Sequence, residues 1–171
     1  MKAVLRAALL LFYSVASLLA AENPFVTKFG GPYPKVGLEF KKQIVDYGGM
    51  WAGTFSMLGV DALDNVEDMQ SFLKEDVDPM LAAMKPVGPE EEKVKAAAVY
   101  LKTAFMAQVD PSKISKEDLA AIDKFLVEGL APGDKEDRAT KLGILILNFR
   151  LFGMGMTRGE FEKFISEQQK K

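Results

Sequence analysis

The chain has 171 residues, 22 basic against 24 acidic, with 49% hydrophobic content, no cysteine and no histidine. Without those two residue types, Ser-His-Asp and Cys-His catalysis and His/Cys zinc sites are excluded, and the acidic balance argues against a general nucleic-acid binder. Carboxylate chemistry and oxygen-ligand calcium sites stay open, but no D-x-[DN]-x-[DN]-G loop is present.

The first segment has the layout of a secretory signal peptide. Lys2 and Arg6 form a positive head, Ala7 to Val15 an apolar run, and Ala16, Ser17, Ala20 and Ala21 a small-residue end. The run is short for a membrane span of about 20 residues. Cleavage is expected after Ala21, with Ala20 as the alternative. Removing these 21 residues, Lys2 and Arg6 among them, leaves 150 residues with 20 basic and 24 acidic side chains, a net charge of −4. That length suits one domain with one core. Lacking disulfides, the core must carry stability alone.

Glu22 to Lys35 contains Pro24, Pro32, Pro34 and Gly30-Gly31 and is expected to be an irregular lead-in, tacked down by Phe25, Phe29 and Tyr33. A first helix is predicted over 36–58. Phe40, Ile44, Tyr47, Trp51, Phe55 and Leu58 recur in steps of three and four and form one apolar face. A second face is small: Gly48, Ala52 and Ser56, with Gly49 and Gly53 beside it. The glycines, each costing about 1 kcal/mol of helix propensity, imply either a break at Gly48-Gly49 or close packing. Gly59 is the expected stop.

A second helix is predicted from Asp64, with Glu67 as capping-box partner. Its inner face is Val66, Met69, Leu73, Val77, Met80 and Met84, and Pro79 is expected to kink or split it. Pro86, Gly88 and Pro89 interrupt the chain. A third helix opens at Pro89 with Glu90, Glu91 and Glu92 in the first turn, where the helix dipole favours negative charge. Val94, Ala98, Leu101, Phe105 and Val109 form its stripe, and Pro111 follows. Ser115 and Asp118 cap a fourth helix facing inward through Leu119, Ile122 and Leu126, with Gly129 as C-cap. After Pro132-Gly133 a fifth helix starts at Asp134. Its second half, Leu142 to Phe152, is apolar on nearly every side, as in a helix surrounded by others. Gly153, Gly155 and Met156 are expected to loosen its end. Thr157 and Glu160 cap a sixth helix anchored by Phe161, Phe164 and Ile165. The fold class expected is an all-α single-domain bundle of about six amphipathic helices, with an internal apolar cavity as an added possibility.

The apolar surplus of the first and fifth helices, with nine methionines, points either to a close-packed core or to a cavity for an apolar ligand lined by Trp51, Phe55, Leu145, Phe149 and Phe152. Arg150 interrupts an apolar run, so it either pairs, reaches water, or meets a ligand carboxylate. Lys141 is the second candidate for that role. The acidic clusters Glu67-Asp68 and Glu90 to Glu92 read as helix starts and solvated faces, and no carboxylate pair is forced together, so no enzymatic site is expected. Neither a metal nor a cofactor is called for.

The stretch KPVGPEEEKVKAAAVYLKTAFMAQVDPSKISKEDLAAIDKFLVEGLAPGDKEDRATKL, followed by MTRGEFEKFI, is similar in layout to the nematode fatty acid- and retinol-binding proteins. The matching pieces are Lys85-Pro86, Asp110-Pro111, Ser115 to Leu119, Asp134 to Asp137, and Thr157 to Phe161, and the likeness covers about 84–165. The N-terminal half departs from it: the Pro- and Glu-rich opening and the Leu-Thr-x-Glu-Asp segment are missing. The resemblance implies an exported bundle enclosing a cavity for fatty acids and retinoids. The expectation is therefore a secreted carrier of small apolar ligands, with which transient membrane contact is compatible. The alternative is a secreted helical interaction module with a solid core, oligomeric through the glycine-bearing face of the first helix. A third reading, membrane insertion of the first and fifth helices, is opposed by the net charge of −4, which disfavours anionic membranes.

Overall fold

The computed structural model describes residues 23–58, 65–127, 135–157, 159–161 and 163, without the side chains of 58, 125–127 and 135–140. The leader and its cleavage point, Gly59, Asp64, Gly129, the Pro132–Asp134 break, Phe164 and Ile165 lie outside the described residues, as does the side chain of Leu126. Among the described residues every regular element is helical, so the fold class is all-α.

The lead-in departs from the expected irregular chain, because Pro24–Phe29 forms a short helix, α1. Asn23 starts it by accepting the Phe25 N–H at 3.0 Å, Pro24 supplies a pre-set first turn, and Gly30 ends it at a φ of 73°. The Asn23 amide also donates to the Asn148 carbonyl at 2.8 Å. This pins α1 to the body, and Phe25 is fully buried.

Helix α2 spans Leu38–Leu58 without a break at Gly48-Gly49; close packing, the other expectation, is what occurs. A Cβ on Gly48 would lie 2.5 Å from the Arg150 Cγ, whereas one on Gly49 or Gly53 would meet nothing within 4 Å. Phe40, Ile44, Tyr47 and Trp51 are buried, as their spacing predicts.

The next segment is α3 (Val66–Phe72), a π turn (Leu73–Val77) and α4 (Asp78–Ala83). Its cap is Asn65, which accepts the Asp68 N–H at 3.2 Å, one residue later than expected. Pro79 acts as predicted, through the π turn. Having no N–H and a ring that crowds the carbonyl four residues back, it cannot follow an ordinary turn without strain, and the Asp78 N–H reaches back to Leu73. Met69, Leu73, Val77 and Leu81 are buried at steps of four. Such steps drift around a 3.6-residue turn, and the wider π turn absorbs the drift and keeps one face inward.

Helix α5 is Pro89–Val109 and α6 is Lys116–Val127, joined by a 3-10 turn at Pro111–Lys113. Ser115 caps α6 by accepting the Asp118 N–H at 3.1 Å. Glu91 corrects the reading of its cluster as a solvated face. It is buried, and its carboxylate accepts the Gly37 N–H at 3.0 Å and the Val87 N–H at 2.9 Å. The start of α2 and the loop before α5 thus share one acceptor.

Helix α7 (Lys135–Met154) is the central element, packed against α1, α2, α5 and α6. Leu142, Leu145, Ile146, Phe149, Leu151 and Phe152 are buried, the enclosed segment the sequence implied. Its end is not loosened. The Gly155 N–H bonds the Phe152 carbonyl and the Met156 N–H the Leu151 carbonyl, both at 3.0 Å, with Gly155 at a φ of 65°. That is a Schellman closure, which serves two otherwise unpaired carbonyls. The Thr157–Glu160 cap forms as expected, with the Thr157 N–H 2.7 Å from the Glu160 carboxylate, which this bond holds below its usual pKa.

A candidate ligand seam between α2 and α7

The large side chains on α1, α2, α5 and α7 meet as a continuous run of rings. Phe25 touches Phe149 (centroids 5.7 Å) and Phe152 (5.9 Å), and Phe149 touches Tyr47 (5.5 Å). Tyr47 reaches Trp51 (6.2 Å), Trp51 packs on Phe105 (4.4 Å) and Phe72 (5.2 Å), and Phe105 meets Phe55 (5.9 Å). Edge-on contacts dominate, the arrangement ring quadrupoles favour. Trp51, Phe149 and Phe152 therefore belong to one ring system, which also holds Phe25, Phe72 and Phe105. The sequence places Phe25 in the lead-in and Phe105 on a helix stripe but does not tie them, or Phe72, to Trp51 and Phe149, because the pairing joins residues far apart in sequence. Leu145 is buried on the same face of α7 as Phe149.

Polar groups within this interior are few. The Tyr47 hydroxyl donates to the Ala98 carbonyl at 2.9 Å, and burial pushes its pKa well above the usual tyrosine value. The Trp51 indole N–H lies close enough to that hydroxyl to hold back part of the rise, yet it makes no hydrogen bond among the described residues. Asn148 is buried and donates to the Ile144 carbonyl one turn back at 3.0 Å. Lys141 is also buried, and it is not without a partner in the chain.

Arg150 is different. Its aliphatic stem lies on Gly48, and its Nε is buried with no hydrogen-bond partner among the described residues. Desolvation lowers its pKa from the ordinary guanidinium value, because burial penalises the charged form. No described carboxylate forms a salt bridge with it.

Two contacts set the register of α2 against α7: Gly48 faces Arg150, and Gly143 faces the ring of Phe55, 3.5 Å from where its Cβ would stand. The helices run antiparallel. Steps of four and three place Gly48, Ala52 and Phe55 along one edge of α2 and Gly143, Leu147 and Arg150 along the facing edge of α7. Ala52, Phe55, Gly143, Leu147 and Arg150 are all half-buried. This is a seam walled by small and aliphatic residues, with a cation at one end and an aromatic ring at the other. Seven residues of α2 separate the ends, a rise of roughly 10 Å. Of the residues expected to bind ligand, Phe55 and Arg150 lie on this seam, Trp51, Leu145, Phe149 and Phe152 lie in the interior behind it, and Lys141 is buried one turn before Leu145. The small faces of both helices carried a signal for the seam, but only the register shows that they meet.

Among the described residues no group of three or more acidic, histidine or cysteine side chains is placed to hold a metal ion, and no helix is long and apolar enough to cross a membrane. No protein-family model, curated protein or solved structure matches the chain.

Proposed function

We propose that this chain is an exported carrier of small apolar ligands with an acidic head group, fatty acids and retinoids being the class. The observation that carries the reading is the Arg150 guanidinium, partly desolvated and without a counter-ion among the described residues. A desolvated cation is costly until an anion meets it, and the planar guanidinium suits a carboxylate through two parallel hydrogen bonds. The tail would lie along Ala52, Leu147 and Phe55, gaining about 0.8 kcal/mol for each methylene buried. No bond is made or broken. The layout of the segment from Met84 to Ile165, similar to that of nematode fatty acid- and retinol-binding proteins, supports the same class. Export is supported by the charged head and apolar run before Ala21, and by α1 being capped at Asn23, two residues beyond.

The test compares oleate with retinol in displacing a fluorescent fatty-acid analogue. Arg150→Ala is expected to weaken oleate more than retinol; equal loss for both ligands removes Arg150 from head-group recognition. A second reading, an oligomeric interaction module, draws on Gly49 and Gly53, which are exposed with open space above them. Light scattering decides it: a stable dimer that Gly53→Leu dissociates favours the module, and a monomer indifferent to that change removes it.

A further inference from the structure

The α2–α7 seam has a definite length, and a side chain closes its far end. At the near end the Arg150 stem lies on Gly48; at the far end the Phe55 ring comes within 3.5 Å of where a Cβ on Gly143 would stand. With no side chain at position 143, the ring reaches over to α7 and spans the gap between the two helices. Behind it stands Phe105, only 1% exposed, whose ring meets that of Phe55 edge-on with centroids 5.9 Å apart. Phe55 therefore cannot fold inward without displacing the core, which is close-packed. Past the ring, α2 presents Ser56 and Met57, both exposed, Met57 at 81%. A chain that continues there finds little cover.

The distance between the two ends converts into a tail length. Seven residues of helix separate Gly48 from Phe55, a rise of roughly 10 Å. Carbon–carbon bonds of about 1.5 Å, laid in a zigzag, advance about 1.3 Å each, so an extended tail of about eight carbons fills the seam.

We infer that Phe55 is an end-stop that sets the length of tail the seam senses. The site is matched to carboxylic acids with medium tails of about eight carbons, and carbons beyond the ring add no further binding. This rests on the carrier reading, in which Arg150 holds the head group. Longer acids such as oleate still bind, through the head and the carbons short of the ring, but gain nothing from the remainder.

The test is displacement of one fluorescent probe, dansyl-labelled undecanoic acid, by straight-chain saturated acids from hexanoate to hexadecanoate. In the parent chain affinity is expected to rise by up to about fourfold with each methylene as far as octanoate or nonanoate, and to stay within about twofold from there to hexadecanoate. Phe55→Ala removes the stop and uncovers Phe105, so the rise is expected to continue to dodecanoate or beyond. Phe55→Leu keeps an apolar side chain over Phe105 and is expected to move the break by about one or two carbons; it carries the test if melting shows the alanine variant unfolded. Affinity that climbs steadily to hexadecanoate in the parent chain, or a break that neither variant moves, would overturn the end-stop. Either result leaves the carrier reading standing where Arg150→Ala still weakens octanoate. No saturable binding of any acid would overturn both.

Discussion

Gly155→Ala tests how α7 is closed against the lead-in. Gly155 holds a φ of 65°, and a Cβ there would stand 2.2 Å from the Pro34 carbonyl oxygen. The left-handed conformation costs an L-residue about 1–2 kcal/mol. The collision is with backbone, which cannot rotate away as a side chain can, and overpacking of that kind adds about 1–3 kcal/mol. Stiffening of the unfolded chain returns about 0.4–1 kcal/mol. The net loss expected is about 2–4 kcal/mol, read from urea unfolding followed by circular dichroism and by emission of Trp51, the single tryptophan. Gly49→Ala is the internal control: its site is exposed and open, so helix propensity alone should raise stability by up to about 1 kcal/mol. A loss below about 1 kcal/mol for Gly155→Ala would show that the Schellman closure and its contact with Pro34 do not constrain the chain as described.

Gly153→Ala should also destabilise, by about 1–3 kcal/mol less the propensity gain, because its Cβ would stand 2.5 Å from a methyl carbon of Ile44 in the core; an unchanged urea midpoint would contradict that packing. Glu91→Ala withdraws the acceptor from two N–H groups and should cost about 1–3 kcal/mol, with faster amide exchange at Gly37 and Val87 as its local signature. Burial raises both Tyr47 and Tyr100, the latter to about 12. Above the ordinary tyrosine value of about 10 the unfolded chain loses protons that the folded chain keeps, so stability should fall with rising pH, by up to about 1.4 kcal/mol per unit for the buried Tyr47 and by less for the half-buried Tyr100. Melting temperatures measured between about pH 9 and 11 test this, and Tyr100→Phe should reduce the slope.

The helices were legible because their signals are local. The Ser115 and Thr157 caps, Pro89 at a helix start and the three-four spacing of Phe40, Ile44, Tyr47 and Trp51 each act within a few residues. The element missed, α1, hid in a proline-rich segment, where Asn23-Pro24 reads as a turn unless its side chain is known to cap. Pro79 announced a disturbance but not its form, since a π turn and a kink share the same local cause. Glu91 could not be told from Glu90 and Glu92 by type, because what distinguishes it is the arrival of Gly37 from 54 residues away. The site divides in the same way. That Arg150 was out of place in an apolar run was visible in one dimension. That it lies on Gly48, and that Ala52 and Leu147 run from it toward Phe55, depends on the register of two helices, which no local pattern encodes.

The central claim, an acid-headed apolar ligand held on the α2–α7 seam, is tested most directly by titrating the folded, delipidated protein with a fluorescent fatty-acid analogue and displacing it with oleate, in the parent chain and in Arg150→Ala. Saturable binding, displaced by oleate and markedly weakened in the variant while its melting temperature is unchanged, is the result expected. No saturable binding by the folded parent chain, or equal affinity in the two proteins, would contradict it.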